Sequence, residues 1–292
     1  MKIRRTIAAL ALLGLTAVAS PASAADATAP SRTTRSLAVI PFYSPEKMWQ
    51  LYTPFIEYLR CETGEPWELK LYPNHDALIA GVCAGDVDVT LLGPVPLGRV
   101  NRACGALPFV VARGKDGKPS YHSMLLSTDP SVTTVAGLRG KKIGFFRGST
   151  AAHIIPMKML RDAGLGPDSF EPVFFESQDR IMTALLSREV AGAGVKEALY
   201  RRFEKEPVRL LQASEPLPNF AFAALPSQPA ALRERLIAAL LKVPPLEGAA
   251  NAAVVKGWDD EMKNGFMTTA PDFLPAVLKV HDIYETVMHE SR

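Results

Sequence analysis

After its first two dozen residues the sequence has no apolar run long enough to cross a bilayer, no block of like charge, and only three cysteines, Cys61, Cys83 and Cys104. The first absence excludes a polytopic membrane protein. The second, with a formal charge of +3 over 292 residues, excludes the basic footprint of a nucleic-acid binder. The third excludes a disulfide-dense miniprotein. Catalytic signatures are missing too: there is no GxSxG elbow, HExxH, CxxC or P-loop, and His75, His122, His153, His281 and His289 show no metal-ligand spacing. His153 follows Ser149 by about one helical turn, which reads as a capped helix start. A hydrolase would need a third, orienting carboxylate that the sequence does not identify. No enzyme, cofactor or metal is therefore expected. What is present, 48% hydrophobic and 22% charged residues, is the composition of a folded globular protein.

The N-terminus reads as an export signal occupying residues 1–24. Lys2, Arg4 and Arg5 form a charged head, Ile7 to Val18 an apolar stretch, and Ala22-Ser23-Ala24 a small-residue cleavage site. The apolar stretch is well short of the roughly 20 residues of a spanning helix, and no cysteine sits at the cleavage point to carry a lipid. The mature chain is expected to start at Ala25, in an oxidising compartment outside the cytoplasm, with equal numbers of basic and acidic residues. Residues 25–36 read as a flexible leader. The rest is long enough for two lobes at roughly 100 to 200 residues per domain.

From Leu37 the pattern is strand, turn, helix, repeated. Leu37 to Phe42 has strand character; Ser44 then offers an N-cap, Pro45 a first helical position, and apolar residues recur at helical spacing until Gly64, with Pro54 expected to kink the helix. Trp67 to Leu71 and Val87 to Leu92 read as strands around a helix capped by Asn74. After a strand-like Tyr121 to Ser127, Lys141 to Phe146 and Pro172 to Phe175 read as strands, each followed by a helix, opening at Ala151 and Asp179 respectively. Ile79 to Val89 faintly echoes Met182 to Gly192, which lays Asp88 opposite Ala191. C-terminal helices are expected over Ala231 to Leu241 and Phe273 to Met288. Such alternation predicts α/β architecture with doubly wound, mainly parallel sheets.

In open sheets of this kind, ligands sit beyond the carboxyl ends of strands, where helix N-termini present unpaired N–H groups and a positive dipole end. Four joints carry capping or tight-turn residues: Tyr43-Ser44, Gly93-Pro94, Gly148-Ser149-Thr150 and Glu176-Ser177. If two lobes face each other, these joints converge on a cleft suited to a small anion. The Ser149-Thr150 turn is the richest, with two hydroxyls and a run of amides.

Leu138 to Phe145 with Gly148-Ser149-Thr150 and Pro156, Gly117 to Tyr121 with Ser123, Gly85-Asp86-Val87-Asp88 with Gly93-Pro94, and Ser177 to Asp179 together resemble the motifs of periplasmic substrate-binding proteins of phosphonate and phosphite ABC transporters. The resemblance runs from Leu37 to Leu225. It implies a type II periplasmic binding protein fold with a two-strand hinge: lobe 1 over 37–120 plus 221–292, lobe 2 with the hinge strands over 121–220. It further implies a monomer that binds a small oxyanion and hands it to an ABC permease. Ser149, Thr150 and Ser177 match the family's anion-holding residues. Gln178 stands where the family usually has His, Ala191 where it has an acidic residue, and Leu97 where it has an aromatic. Ser44, Tyr121 and His153 are further candidate ligand contacts, and Arg147 and Arg180 could replace lost ones.

Three cysteines in an oxidising compartment leave one unpaired. Some relatives of this family bind arsenite and signal to a sensor kinase, which makes Cys104 an alternative thiol ligand. The 61–83 and 83–104 loops are nearly equal in length, so chain entropy does not choose a pair. Helices preceding Cys83 and Cys104 should flank one sheet face, which inclines toward that bridge but leaves the pairing open.

Overall fold

The computed structural model describes residues 34–245 and 249–290. The export signal, its cleavage point and most of the leader lie outside the described residues. The chain opens with β1 (Arg35–Val39), α1 (Pro45–Thr63), β2 (Trp67–Lys70), α2 (His75–Cys83), β3 (Val89–Leu92), α3 (Pro94–Cys104) and β4 (Leu107–Ala112). Next come β5 (Ser120–Tyr121), β6 (Ser123–Ser127), β7 (Lys142–Phe146), a π-helical turn over Thr150–Ile154 leading into α4 (Ile155–Asp162), and β8 (Glu171–Phe175). They are followed by α5 (Gln178–Leu186), β9 (Gly192–Lys196), α6 (Glu197–Arg202), β10 (Arg209–Ala213) and β11 (Leu217–Pro218). The chain closes with β12 (Ala221–Ala224), α7 (Ala230–Leu241), α8 (Ala249–Val254), β13 (Phe266–Thr268) and α9 (Phe273–Glu290).

These strands build two mixed sheets. The first has the order β13-β4-β12-β3-β1-β2 and the second β10-β6-β9-β7-β8. Each has a parallel core, β2-β1-β3 in one and β8-β7-β9 in the other, flanked by antiparallel strands. The parallel cores come from the β-α-β repeats, whose crossover helices bury both sheet faces. Accordingly β3 and β9 are buried along their whole length. The chain leaves the first sheet after β4 and re-enters it at β12; both passages run through β5 and β11, which pair antiparallel as a separate two-stranded ribbon.

Local sequence rules account for most helix ends. Ser44 accepts from the Lys47 amide at 3.4 Å and opens α1 ahead of Pro45, and Gly64 closes it. Helix α1 continues unbroken through Pro54. Asn74 accepts from the Ala77 amide at 2.9 Å ahead of α2. β1 starts at Arg35, two residues before the apolar run, because Ser36 is tied to the Asp88 carboxylate through both its amide and its hydroxyl.

Helix α9 belongs to neither sheet alone. It packs lengthwise on α3, while Val280 and Val287 join the apolar cluster around Ile154, Ile155 and Met159. No helix among the described residues is long and apolar enough to cross a membrane.

Cys83 and Cys104 form a disulfide between the last residues of α2 and α3, with Cα atoms 5.4 Å apart, and Cys61 is left free and exposed. The bridge encloses 21 residues of separation, for which loop entropy gives about 3 kcal/mol. Thiol titration of the native protein should therefore find one reactive thiol, rising to three on reduction, and the reduced protein should melt at a lower temperature. Three thiols before reduction would contradict this pairing.

Candidate functional site

The carboxyl ends of the two parallel cores face each other across a cavity of about 330 Å³, counted with its open mouth. From the first sheet's side it is lined by Ile40, Phe42, His75, Gly93, Pro96 and Phe220, and from the second by Phe146, Ser149, Thr150, Ala151, Gln178 and Lys196, with Tyr121 from the ribbon. The two sides touch around its rim. The Gln178 amide donates to the Phe42 carbonyl at 3.2 Å, the Val95 amide donates to Thr150 Oγ1 at 3.0 Å, and Lys47 on α1 pairs with Asp179 on α5. This is a closed cleft.

The Ser149-Thr150 turn is set by Gly148, whose φ of 75° suits glycine, and by the π-helical turn behind it. Pro156 has no N–H for the usual helical ladder, and the Ile154 amide reaches back to the Ser149 carbonyl at 3.0 Å. Pro156 in turn rests on Gly194 of β9, where a Cβ would fall 2.2 Å from its ring. Ser149 Oγ accepts from the Ala152 amide at 3.2 Å, which leaves its hydroxyl proton to donate. Gln178 is buried and its Oε1 accepts from the Lys196 amide at 3.2 Å, so the NH₂ end is the one left for the cavity.

Two other side chains give the cavity its electrical character. His75 is only 8% exposed, with both ring nitrogens buried beside the Pro41 and Gly148 backbone. Burial pushes its pKa down to about 4, with the Pro41 backbone opposing in part, so it is a neutral imidazole at physiological pH. Lys196, at the carboxyl end of β9, is buried with its ammonium 4.0 Å from the centres of both the Tyr121 and Phe220 rings. It donates to Asn219 Oδ1 at 3.0 Å and pairs with Glu261. Burial pulls its pKa down and Glu261 opposes that. Tyr121 stands beside both this cation and the turn, lining the cavity together with Thr150. Behind Glu261, Asp259 is buried, and desolvation and then Glu261 hold its carboxyl well above the usual range. Among the described residues no carboxylate lines the cavity itself.

Ser149, Thr150, Gln178 and Tyr121 are thus brought together. Ser177 caps α5 by accepting from the Arg180 amide at 3.3 Å and stands one residue back from the lining. Ser44 is exposed and caps α1 outside the lining. His153 is buried between Phe145 and Phe174, accepts from the Gly148 amide at 3.2 Å, and supports the turn from behind. The Gly93-Pro94 joint supplies fewer donors than a helix N-terminus usually does: Pro94 and Pro96 have no N–H, and the Val95 amide is taken by Thr150. Arg147 lies over the Phe174 ring and Arg180 beside Glu189, both outside the lining, and Leu97 is in the core of the first sheet. Ala191 precedes β9 at the end away from the cavity, where its carbonyl accepts from Ser127. Cys104 carries no thiol, being bridged to Cys83 at the far end of α3; the thiol-ligand reading for it is overturned.

Lys196, His75 and Asn219 were not singled out by the sequence. A signal existed for Lys196: it is the charged residue ending a fully apolar strand that turns straight into a helix, which in open sheets is a ligand position.

Similarity to known proteins agrees with this architecture. The phosphate-import protein PhnD of Mycolicibacterium smegmatis is 28% identical over 137 residues, 45% of this chain and 43% of that one. The chain thus aligns with less than half the length of the curated relatives it matches. A binding-protein component of an ABC phosphonate transporter from Pseudomonas aeruginosa superposes with a TM-score of 0.75 at 15% identity, covering 89% of each chain. PhnD1 from Prochlorococcus marinus, in complex with methylphosphonate, superposes with a TM-score of 0.73 at 12% identity, covering 87% of this chain and 98% of that one. Both likenesses are of the two-lobe type II fold. The model for "ABC transporter, phosphonate, periplasmic substrate-binding protein" matches residues 37–266, and the chain belongs to that family of periplasmic substrate-binding proteins.

Proposed function

We propose that this protein, exported and trimmed to begin at Ala25, captures a small phosphonate-type oxyanion between its two lobes and delivers it as a monomer to an ABC permease. The observation that carries this reading is a cavity between the lobes whose polar lining offers hydrogen-bond donors and, among the described residues, no carboxylate. The Ser149 hydroxyl, the Gln178 NH₂ and the neutral His75 ring can each donate to an oxyanion, and Thr150 and Tyr121 complete the wall. Small volume favours a compact tetrahedral head group. Closure around it would present the joined lobe surfaces to the permease. The named cargo of the M. smegmatis relative and the methylphosphonate held by the P. marinus protein are of the same chemistry.

Titration calorimetry of the mature protein against methylphosphonate, phosphite, phosphate, ethanesulfonate and arsenite tests this. The expected result is binding of at least one phosphorus oxyanion at micromolar Kd or tighter, unchanged when Cys61 is alkylated. Absence of binding by all the phosphorus oxyanions, or arsenite binding abolished by alkylation, would overturn it.

A further inference from the structure

Lys196 is where the cavity stops being a plain oxyanion cage. It lines both that cavity and a larger outer one, about 1200 Å³ counted with its open mouth, on the ribbon side, and Tyr121 is the other residue common to the two. Tyr121 lines the cavity together with Thr150 of the anion turn while its ring carries the Lys196 ammonium at 4.0 Å, so the cation stands in the wall of the same cavity as that turn. A short substituent on the head group can therefore meet it. Two of the ammonium's three N–H donors go to Asn219 and Glu261, and the third has no oxygen or nitrogen partner among the described residues. Glu261 itself lines the outer cavity and not the oxyanion cage.

Resting on the oxyanion reading above, we infer that Lys196 is a specificity-determining residue that reads the charge of the ligand's substituent: it admits a short tail ending in an acceptor, such as a carboxylate, and rejects one ending in an ammonium. The third N–H of Lys196 donates to a carboxylate in that position. An ammonium there would meet a like charge in a desolvated pocket and would have no carboxylate within the same cavity to pair with, because Glu261 is already engaged.

Calorimetry with methylphosphonate, phosphonoacetate and 2-aminoethylphosphonate reads this directly. For the native protein, phosphonoacetate should bind at least tenfold more tightly than 2-aminoethylphosphonate. In Lys196→Met the unpaired Glu261 should invert that preference. In Lys196→Met combined with Glu261→Gln, which removes both charges and guards against misfolding of the single variant, the ratio should come within about threefold of one. A native protein that prefers 2-aminoethylphosphonate or does not discriminate, or a ratio unchanged in both variants, overturns the inference alone. Failure of the native protein to bind any of the three while phosphate or phosphite still binds overturns this inference alone; failure to bind those as well overturns the oxyanion reading and this inference with it.

Discussion

Replacing Ser149 and Thr150 together by alanine should weaken oxyanion binding by at least a hundredfold, measured by calorimetry on whichever phosphorus oxyanion the native protein binds most tightly. On the proposed function the two hydroxyls would donate to the anion, and hydrogen bonds to charged groups contribute about 1.5–3 kcal/mol each. Losing two of that kind exceeds the roughly 2.8 kcal/mol that corresponds to a hundredfold. Part of the loss would come through closure. Thr150 Oγ1 accepts from the Val95 amide across the cleft, and without it that amide is left buried with one fewer partner. Ser149 also caps its own turn, so the variant should be less stable by about 1 kcal/mol, typical of a lost cap. Ser149→Thr with Thr150→Ser, which keeps both hydroxyls, should recover most of the affinity. Unchanged affinity in the double alanine variant would place the anion elsewhere in the cleft.

What was legible of that turn in the sequence is its local part: Gly148 for the positive φ, Ser149 for the cap, the end of an apolar strand before it. The same is true of Ser44 and Gly64 at the ends of α1 and of Asn74 ahead of α2. What escaped was set by partners distant in sequence. The π-helical opening of the 150–162 helix depends on Pro156 resting on Gly194, a contact across 38 residues. Helix α9 reads as an ordinary amphipathic helix, and nothing in its periodicity says that its two faces serve different lobes. His75 looks like any first-turn residue after an asparagine cap until Phe146 and Gly148 of the other lobe close over it. Lys196 is the sharpest case. Comparison with the family directs attention to Ala191, just before the same strand, whereas the strand's direction puts its carboxyl end, and so Lys196, at the cavity.

Lys196→Met should produce the largest loss of stability of any single change at the site, about 3–5 kcal/mol, the range for removing one partner of a buried ion pair. The neighbours indicate where that cost arises. Asn219 Oδ1 would remain satisfied, because it also accepts from the Phe220 amide at 2.9 Å. Tyr121 and Phe220 would exchange a cation for a thioether of similar length. Glu261 is the group left stranded: it is buried, its cation is gone, and Asp259 lies two residues away with a carboxyl already held up by burial and by Glu261 itself. Arg202 and Lys263 do not offer relief, since both are committed to Asp260. Melting curves of the native protein and the variant measure this deficit. Adding Glu261→Gln should restore most of the lost stability, because replacing both members of a buried pair by neutral groups costs far less than breaking it. A deficit of the same size in the double variant would mean that Lys196 acts through packing of its aliphatic stem alone, and the ion pair would then have no part in holding the lobes together.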